Sequence, residues 1–202
     1  MEEVLEKIKK DIERVKVIGV EEEDIKSDSQ FLALKKGDYQ LNNGKTISRE
    51  SIVKKLGSGN AVCVFAVTVD KKVLIVIQPR TALPTYERVN IELPAGYIED
   101  GEDAIESGKR ELEEETGYRS NDMFLVDSYY TSLGFSGEKI DLVLAMDCFK
   151  VGEQHLDQDE FICCEAICLK EFEYLLNQNF IMDANARIGY YRYLEYLMRE
   201  GY

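Results

Sequence analysis

The sequence predicts an α+β fold in which a mixed β-sheet is sandwiched between α-helices, with an N-terminal subdomain made of a helix and a β-hairpin. Strand-like and helix-like segments follow each other without the regular βαβ order of a parallel sheet. The chain has 202 residues, 45% of them apolar and 32% charged, which is enough to bury a core. The loop-like residues 56–60, "LGSGN", divide a subdomain at 1–57 from a main domain at 58–202.

The predicted subdomain opens with an amphipathic helix, because apolar residues recur there at helical spacing: Val4, Leu5, Ile8, Ile12 and Val15. Two strand-like runs follow, "FLALKKGDYQL" and "KTISRESIVKK". They are joined at Asn42-Asn43-Gly44, and Asn-Gly is a strong hairpin signal. A hairpin cannot form an independent core, so this one must pack against another surface.

The main domain opens with a second predicted hairpin, whose buried strands "AVCVFAVTV" and "VLIVIQ" flank Asp70-Lys71-Lys72. A helix is predicted from Glu102 to Thr116, because Ile105, Gly108 and Leu112 form one core-facing stripe and Gly117 suits a left-handed C-terminal cap. Further strands are predicted near 122–131 and 139–149 and at "EAICL", and closing helices near 170–178 and 183–199.

Composition and charge exclude several classes of protein. The formal net charge of −14 argues against nucleic-acid binding, because a phosphate backbone requires a basic surface. No apolar run reaches the roughly 18 residues of a membrane span, and the acidic N-terminus is unlike a signal peptide. We therefore expect a cytoplasmic protein with no membrane partner.

The cysteines and the histidine do not predict a metal or nucleophile site. A zinc site from Cys163, Cys164, Cys168 and His155 would lack the usual ligand spacing, and buried free thiols explain the cysteines better. His155 is the only histidine, so a catalytic triad is also poorly supported.

The acidic end of the predicted helix carries the functional signal. Glu111, Glu114 and Glu115 are three and four residues apart, so they share one helix face. Like charges at that spacing cost about 0.2–0.5 kcal/mol per pair, and the negative end of the helix dipole adds to the cost. A solvated acidic face is one interpretation. A bound Mg²⁺ is the other, because it accepts hard oxygen ligands.

Residues 96–118, "GYIEDGEDAIESGKRELEEETGY", resemble the signature of the Nudix family, G-x5-E-x7-R-E-U-x-E-E-x-G-U, at every fixed position. The match consists of Gly96, Glu102, Arg110, Glu111, Leu112, Glu114, Glu115, Gly117 and Tyr118. The resemblance implies the Nudix fold and hydrolysis of a nucleoside diphosphate linked to another group.

The resemblance also implies a role for each residue. Arg110 would orient the acidic face, Glu111 and Glu115 would be the primary ligands of Mg²⁺ (or Mn²⁺), and Glu114 an additional ligand. The carbonyl of Ala95 or Gly96 would complete the metal shell. Glu115 and Arg110 count as catalytic in this sense, whereas Gly96, Glu102 and Gly117 have structural roles. A glycine at 96 lets the backbone approach a metal and its phosphates closely.

Segments outside the signature resemble the ADP-ribose pyrophosphatase branch: "ELPAG" at 92–96, "QPR" at 78–80, "NGKTISRE" at 43–50 and "YYTSLGFSGEKIDLVLAMD" at 129–147. The last matches a loop that supplies a catalytic glutamate, here Glu138, as general base. Substrate contacts are expected from Arg80, Arg88, Glu92 and Phe135. Tyr129, Tyr130 and Phe135 are all open for stacking on the base. In this branch the N-terminal hairpin packs on a second subunit, so a homodimer is expected.

One departure from the pattern of this branch leaves the identity of the substrate sugar open. The branch often has proline where this chain has Leu133, so nucleotide sugars such as GDP-mannose or UDP-glucose compete with ADP-ribose as the substrate. Two alternatives are a non-catalytic nucleotide-sensing domain and a hydrolase of damaged nucleotides. The intact glutamate set argues against a sensor. The "ELPAG" context and the N-terminal hairpin argue against a hydrolase of damaged nucleotides.

Overall fold

The computed structural model describes residues 2–25, 28–55, 57–83, 89–158 and 160–201, and within α1 the side chains of residues 6 and 10–15. The chain divides into two compact units. The first spans Met1–Leu56 together with Ser132–Glu138, and the second spans Gly57–Thr131 together with Lys139–Tyr202.

The first unit contains one helix and a three-stranded antiparallel sheet. Its elements are α1 (Glu2–Val15), β1 (Val17–Ile25), β2 (Leu32–Leu41) and β3 (Thr46–Lys54), with strand order β1-β2-β3. The predicted hairpin is β2–β3, and Gly44 takes a φ of 83° in its turn. Strand β1 was not predicted, because its run of Glu21, Glu22 and Glu23 hides the alternation that identifies a strand.

The segment 132–138 belongs to the first unit because it lies along the free edge of β3. The amide of Ile52 donates to the carbonyl of Phe135 at 2.7 Å, and Ile52 and Ser136 form an isolated parallel bridge. The ammonium of Lys54 also donates to the carboxylate of Glu138. A segment distant in sequence is thereby fixed on the N-terminal sheet.

The second unit is built on an eight-stranded mixed sheet. Its strands are β4 (Ala61–Thr68), β5 (Lys72–Pro79), β6 (Val89–Glu92), β7 (Ala95–Tyr97), β8 (Tyr118–Arg119), β9 (Asp122–Tyr130), β10 (Lys139–Lys150) and β11 (Cys163–Cys168). The main order is β11-β5-β4-β10-β8, with β6 beside β5, β7 beside β4 and β9 beside β10. The β4–β10 pair is parallel and the other pairs are antiparallel.

Helices cover both faces of this sheet: α2 (Ala104–Thr116), α3 (Leu169–Asn177) and α4 (Ala184–Glu200). Because successive side chains of a strand point to opposite faces, Val62 and Val64 of β4 pack with Leu112 of α2. Phe65 packs on the other face, with Phe172 and Tyr193. The predicted α+β sandwich is confirmed. In the ranges described, no helix is both long and apolar enough to cross a membrane.

A capping interaction at each end fixes where α2 begins and ends. Asp103 accepts from the amides of Ile105 and Glu106 at 2.8 and 2.9 Å, and Glu106 accepts from the amide of Asp103 at 3.2 Å, which completes a capping box. At the other end Gly117 has a φ of 71°, and a β-carbon there would overlap the carbonyl of Gly152. The register of the acidic face is therefore set from both ends.

Candidate active site

Arg110 is the centre of an ion-pair network at the acidic face of α2. Its guanidinium donates to Glu102 at 3.0 and 3.2 Å, to Glu111 at 2.7 Å and to Glu114 at 3.2 Å. It also donates to the carbonyl of Tyr97 at 2.9 Å. Hydrogen bonds from Arg110, and then from Ser107, lower the pKa of Glu102 to about 2. Arg110 thus ties the loop before α2, strand β7 and the acidic face together.

Two carboxylates of this face are buried. The exposed fraction is 9% for Glu111 and 3% for Glu115. Desolvation raises the pKa of Glu111 to about 7, against a lowering by Arg110, and the charge of Glu114 adds to the rise. Desolvation likewise raises the pKa of Glu115 to about 8, against a hydrogen bond from Ala95. An environment that penalises two neighbouring anions in this way favours an added positive charge.

Strand β7 brings backbone against these carboxylates. Ala95 and Gly96 pair with Cys63 and Val62 of β4, and the amide of Ala95 donates to Glu115 at 2.9 Å. A β-carbon at position 96 would overlap the carboxylate of Glu111. Any other residue at 96 would displace the carboxylate of Glu111 from its position beside Arg110.

The predicted ligands do not meet at one point. Within the described ranges, no three His, Cys, Asp or Glu side chains converge closely enough to hold a metal ion as they stand. The reason is that Arg110 draws Glu111 and Glu114 to itself, whereas Glu115 turns to the amide of Ala95. The donor set still suits Mg²⁺ or Mn²⁺, because it offers hard oxygen atoms on one helix face beside a close backbone.

Glu160 also acts on this site, although no sequence motif identifies it. It is exposed on the loop between β10 and β11, where its carboxylate accepts from the amide of Asp157 at 3.1 Å. Its negative charge contributes to the raised pKa of both Glu111 and Glu115, after desolvation and after the charge of a neighbouring glutamate of α2. The signal in the sequence was the acidic run "DQDEF" just before the last strand, which no helix or strand pattern explains.

Glu138 and Phe135 lie on the segment that belongs to the first unit. The carboxylate of Glu138 pairs with Lys54, and its amide donates to Ser136 at 3.2 Å. The ring of Phe135 is 53% exposed. Arg88 lies outside the described residues.

Arg80 and Glu92 form a partly buried ion pair in the second unit. Arg80 donates twice to Glu92, at 2.7 and 2.6 Å. Gln78 and Asn90 donate to the same carboxylate at 3.4 and 3.2 Å. Glu92 therefore has its oxygens occupied and orients Arg80, whose side chain is 48% exposed. Among the residues that the structure describes, the bidentate contact leaves the outer edge of the guanidinium for an anion.

The aromatic candidates on β9 differ in their surroundings. Tyr129 packs against the core, and its hydroxyl donates to Asn185 at 3.0 Å. The ring of Tyr130 is 52% exposed. Tyr129 is half-buried and also lines a surface pocket with Tyr191 and Arg192, so all three candidate rings offer surface for stacking.

Comparison with known proteins gives consistent matches. The NUDIX domain family profile matches residues 57–185. An ADP-ribose pyrophosphatase of Bacillus subtilis is 39% identical over 148 residues, 73% of this chain and 76% of that protein. A methanol dehydrogenase activator of Bacillus methanolicus is 37% identical over 174 residues, 84% of this chain and 90% of that protein.

A solved structure and a more distant relative extend the comparison. An ADP-ribose pyrophosphatase of Saccharomyces cerevisiae is 30% identical over 156 residues, 72% of this chain and 68% of that protein. The crystal structure of an ADP compounds hydrolase has the same fold, with a TM-score of 0.74, 20% identity and coverage of 93% of this chain and 96% of that one. The chain belongs to the Nudix family of hydrolases.

Proposed function

We propose that the protein hydrolyses the pyrophosphate bond of ADP-ribose or a related nucleoside diphosphate sugar, releasing a nucleoside monophosphate and a sugar phosphate. The observation that carries this proposal is the buried pair Glu111 and Glu115 beside the backbone of Ala95 and Gly96. Relatives named ADP-ribose pyrophosphatase and ADP-sugar pyrophosphatase support the substrate class. We place the activity in the cytoplasm, which cell fractionation would test.

In this mechanism Glu111 and Glu115 would hold Mg²⁺ or Mn²⁺, assisted by Glu114 and the carbonyl of Ala95. Bound divalent cations neutralise phosphate charge and make a coordinated water more acidic. Arg110 keeps the glutamates on one face through its bonds to Glu102 and Tyr97. Arg80, fixed by Glu92, offers its outer edge to a phosphate oxygen of the substrate.

Two carboxylates are candidates for the general base. Glu138 is proposed from the resemblance to the ADP-ribose branch, and it is paired with Lys54 in the first unit. Glu160 is proposed from the structure, because its charge acts on both buried glutamates. A base must reach the water that attacks phosphorus, and we favour Glu160 because the carboxylate of Glu138 is already engaged with Lys54.

A substrate panel tests the function, and Leu133→Pro tests the choice of sugar. We expect metal-dependent hydrolysis of ADP-ribose and of at least one of GDP-mannose and UDP-glucose. Leu133 is 72% exposed and occupies the second position of a turn in which Phe135 donates to the carbonyl of Ser132 at 3.0 Å. Proline is favoured at that position. Leu133→Pro should stiffen the turn and narrow the range of sugars without abolishing turnover.

Leu133→Ala is the matched control, because it removes the side chain without restricting the backbone. The measurement is kcat/KM for the three substrates, with an oxidised dNTP as a substrate of another class. Hydrolysis of none of the three sugars by the parent would contradict the proposed function. If the kcat/KM values for the three sugars stand in the same ratio in Leu133→Pro and in the parent, Leu133 has no role in the choice of sugar.

We also propose a homodimer formed through the first unit. Apolar side chains on and beside its sheet are 41–56% exposed: Val17, Ile18, Val20, Phe31 and Leu32. Burying such a surface against a second copy removes it from water. Light scattering at micromolar concentration should give about twice the chain mass of 23.2 kDa. Ile18→Glu should shift the protein toward monomer, whereas Leu125→Glu in the second unit should not. A monomeric parent would exclude the proposal.

A further inference from the structure

The loop between β10 and β11, residues 151–162, folds over the C-terminal end of α2. The last carbonyl groups of a helix have no partner within the helix itself. Here the amide of Val151 donates to the carbonyl of Gly117 at 2.9 Å, and the amide of His155 donates to the carbonyl of Glu114 at 2.8 Å. The loop therefore caps the end of the helix that carries the acidic face.

The side chain of Gln154 joins this helix end to the far end of the loop. Its amide nitrogen Nε2 donates to the carbonyl of Glu115 at 2.5 Å and to the carbonyl of Ile162 at 3.2 Å. A primary amide carries two N–H donors, so both contacts form at once. Gln154 is half-buried and Ile162 is 6% exposed. One nitrogen atom thus holds the backbone of α2 next to the chain that enters β11.

Glu160 lies in the part of the loop that these two contacts close. It precedes Ile162 by two residues. The amide of Glu160 donates to the carbonyl of Asp157 at 3.1 Å, and its carboxylate accepts from the amide of Asp157 at 3.1 Å. The position of this turn relative to Glu115 therefore depends on the hydrogen bonds that Gln154 makes to both stretches of backbone.

The cap of α2 does not depend on the side chain of Gln154. The amides of Val151 and His155 make their bonds through the backbone, and the ammonium of Lys150 donates to the carbonyl of Thr116 at 3.0 Å. These three bonds remain when the amide of Gln154 is removed. What its removal takes away is the hydrogen-bonded link between α2 and the start of β11.

We propose that Gln154 is a positioning residue, which bonds the carbonyls of Glu115 and Ile162 and thereby holds the loop that carries Glu160 against the metal-facing helix. The proposal rests on the proposed function, with Glu160 as its general base. A base needs such support, because a displacement of about 1 Å can lower a rate by about a hundredfold. Gln154 lies outside the Nudix signature, so no motif marks it.

Gln154→Met is the variant that tests the proposal, because methionine has nearly the same length and no donor. With ADP-ribose at saturating Mg²⁺, we expect kcat to fall roughly tenfold through a small displacement of the base. KM, and the affinity for Mn²⁺ in titration calorimetry, should stay close to the parent values, because Glu111 and Glu115 keep their places on α2. The melting temperature should fall by a few degrees at most.

The double variant Gln154→Met with Glu160→Gln separates positioning from a general structural role. If Gln154 acts through Glu160, adding Gln154→Met to Glu160→Gln should lower kcat by less than about twofold more. Independent structural damage would instead multiply the two losses. His155→Ala is the control in the same loop. It removes an exposed side chain and keeps the amide that bonds to Glu114, so kcat should not change.

Hydrogen exchange gives a readout that does not depend on activity. Gln154→Met should speed exchange at the amides of Asp157 and Glu160, because local opening of this turn becomes easier. The amides within α2 should exchange as in the parent. Unchanged exchange at Asp157 and Glu160 would contradict the proposed link.

The kinetic outcomes separate the proposal from the function. If the parent cleaves ADP-ribose and Gln154→Met has the same kcat, the proposal is wrong and the function stands. The same holds if Glu160→Gln keeps full kcat, if the two losses multiply, or if Gln154→Met unfolds under assay conditions. No cleavage of any ADP-sugar by the parent would overturn the proposed function, and the role of Gln154 with it.

Discussion

Glu115→Gln and Glu111→Gln are each expected to lower kcat/KM for ADP-ribose by about a hundredfold or more. Each change removes one anionic ligand from a site that must hold divalent cations, and such cations contribute several kcal/mol of transition-state stabilisation. Glu111 and Glu115 are the two most buried carboxylates of α2. The measurement is steady-state kinetics at several Mg²⁺ concentrations, with Mn²⁺ titration calorimetry as a direct readout of metal binding.

Glu113→Gln on the same helix is the matched control. Glu113 lies off the metal-facing side and pairs with Arg119 through two hydrogen bonds of 2.6 Å. We expect kcat/KM within about twofold of the parent, because an exposed ion pair contributes at most about 1 kcal/mol to stability and nothing to the chemistry. Equal, small effects of all three substitutions would contradict the assignment of the metal face.

Thermal unfolding separates lost function from lost folding. Desolvation raises the pKa of Glu111 and Glu115, which means that their anionic forms are unfavourable in the folded protein. A neutral glutamine of nearly the same shape can still accept the hydrogen bond from Ala95. The melting temperature of Glu115→Gln should therefore be equal to that of the parent or higher, although activity is lost.

Local signals explain what the sequence could predict. The capping residue Asp103, the apolar stripe ending at Leu112 and the left-handed Gly117 lie within one helix, so spacing alone fixes the acidic face. The β2–β3 hairpin was predictable for the same reason, because Asn43-Gly44 determines the turn. Short strands such as β7 and β8 were missed, because pairing with distant strands rather than their own pattern makes them strands.

Contacts between distant residues explain what the sequence could not predict. The segment 132–138 reads as a loop of the main domain, yet its backbone bonds to Ile52 of the N-terminal sheet. Asp183 reads as an ordinary helix cap, and only folding buries its second oxygen. Glu92 is predicted to contact substrate, and only folding shows that its oxygens also accept hydrogen bonds from Arg80, Gln78 and Asn90.

Loss of the general base should have the second large effect on activity. The two candidates for this base, Glu160 and Glu138, predict different losses of kcat. Glu160→Gln should lower kcat by about a hundredfold to ten-thousandfold at saturating Mg²⁺, the usual contribution of a positioned acid or base. KM should change little, because no substrate contact is assigned to this side chain. Glu138→Gln is expected to lower kcat less than tenfold, because the carboxylate of Glu138 is engaged with Lys54.

Saturating metal is essential to this comparison, because Glu160 also adds negative charge near Glu111 and Glu115. If Glu160 only strengthened metal binding, excess Mg²⁺ would restore kcat in Glu160→Gln. A base cannot be replaced in that way, since the proton of the attacking water still needs an acceptor. Lys54→Met tests Glu138 as the general base in a second way, because this substitution releases the carboxylate of Glu138 from its ion pair. A larger loss of kcat in Glu138→Gln than in Glu160→Gln would return the role of base to Glu138.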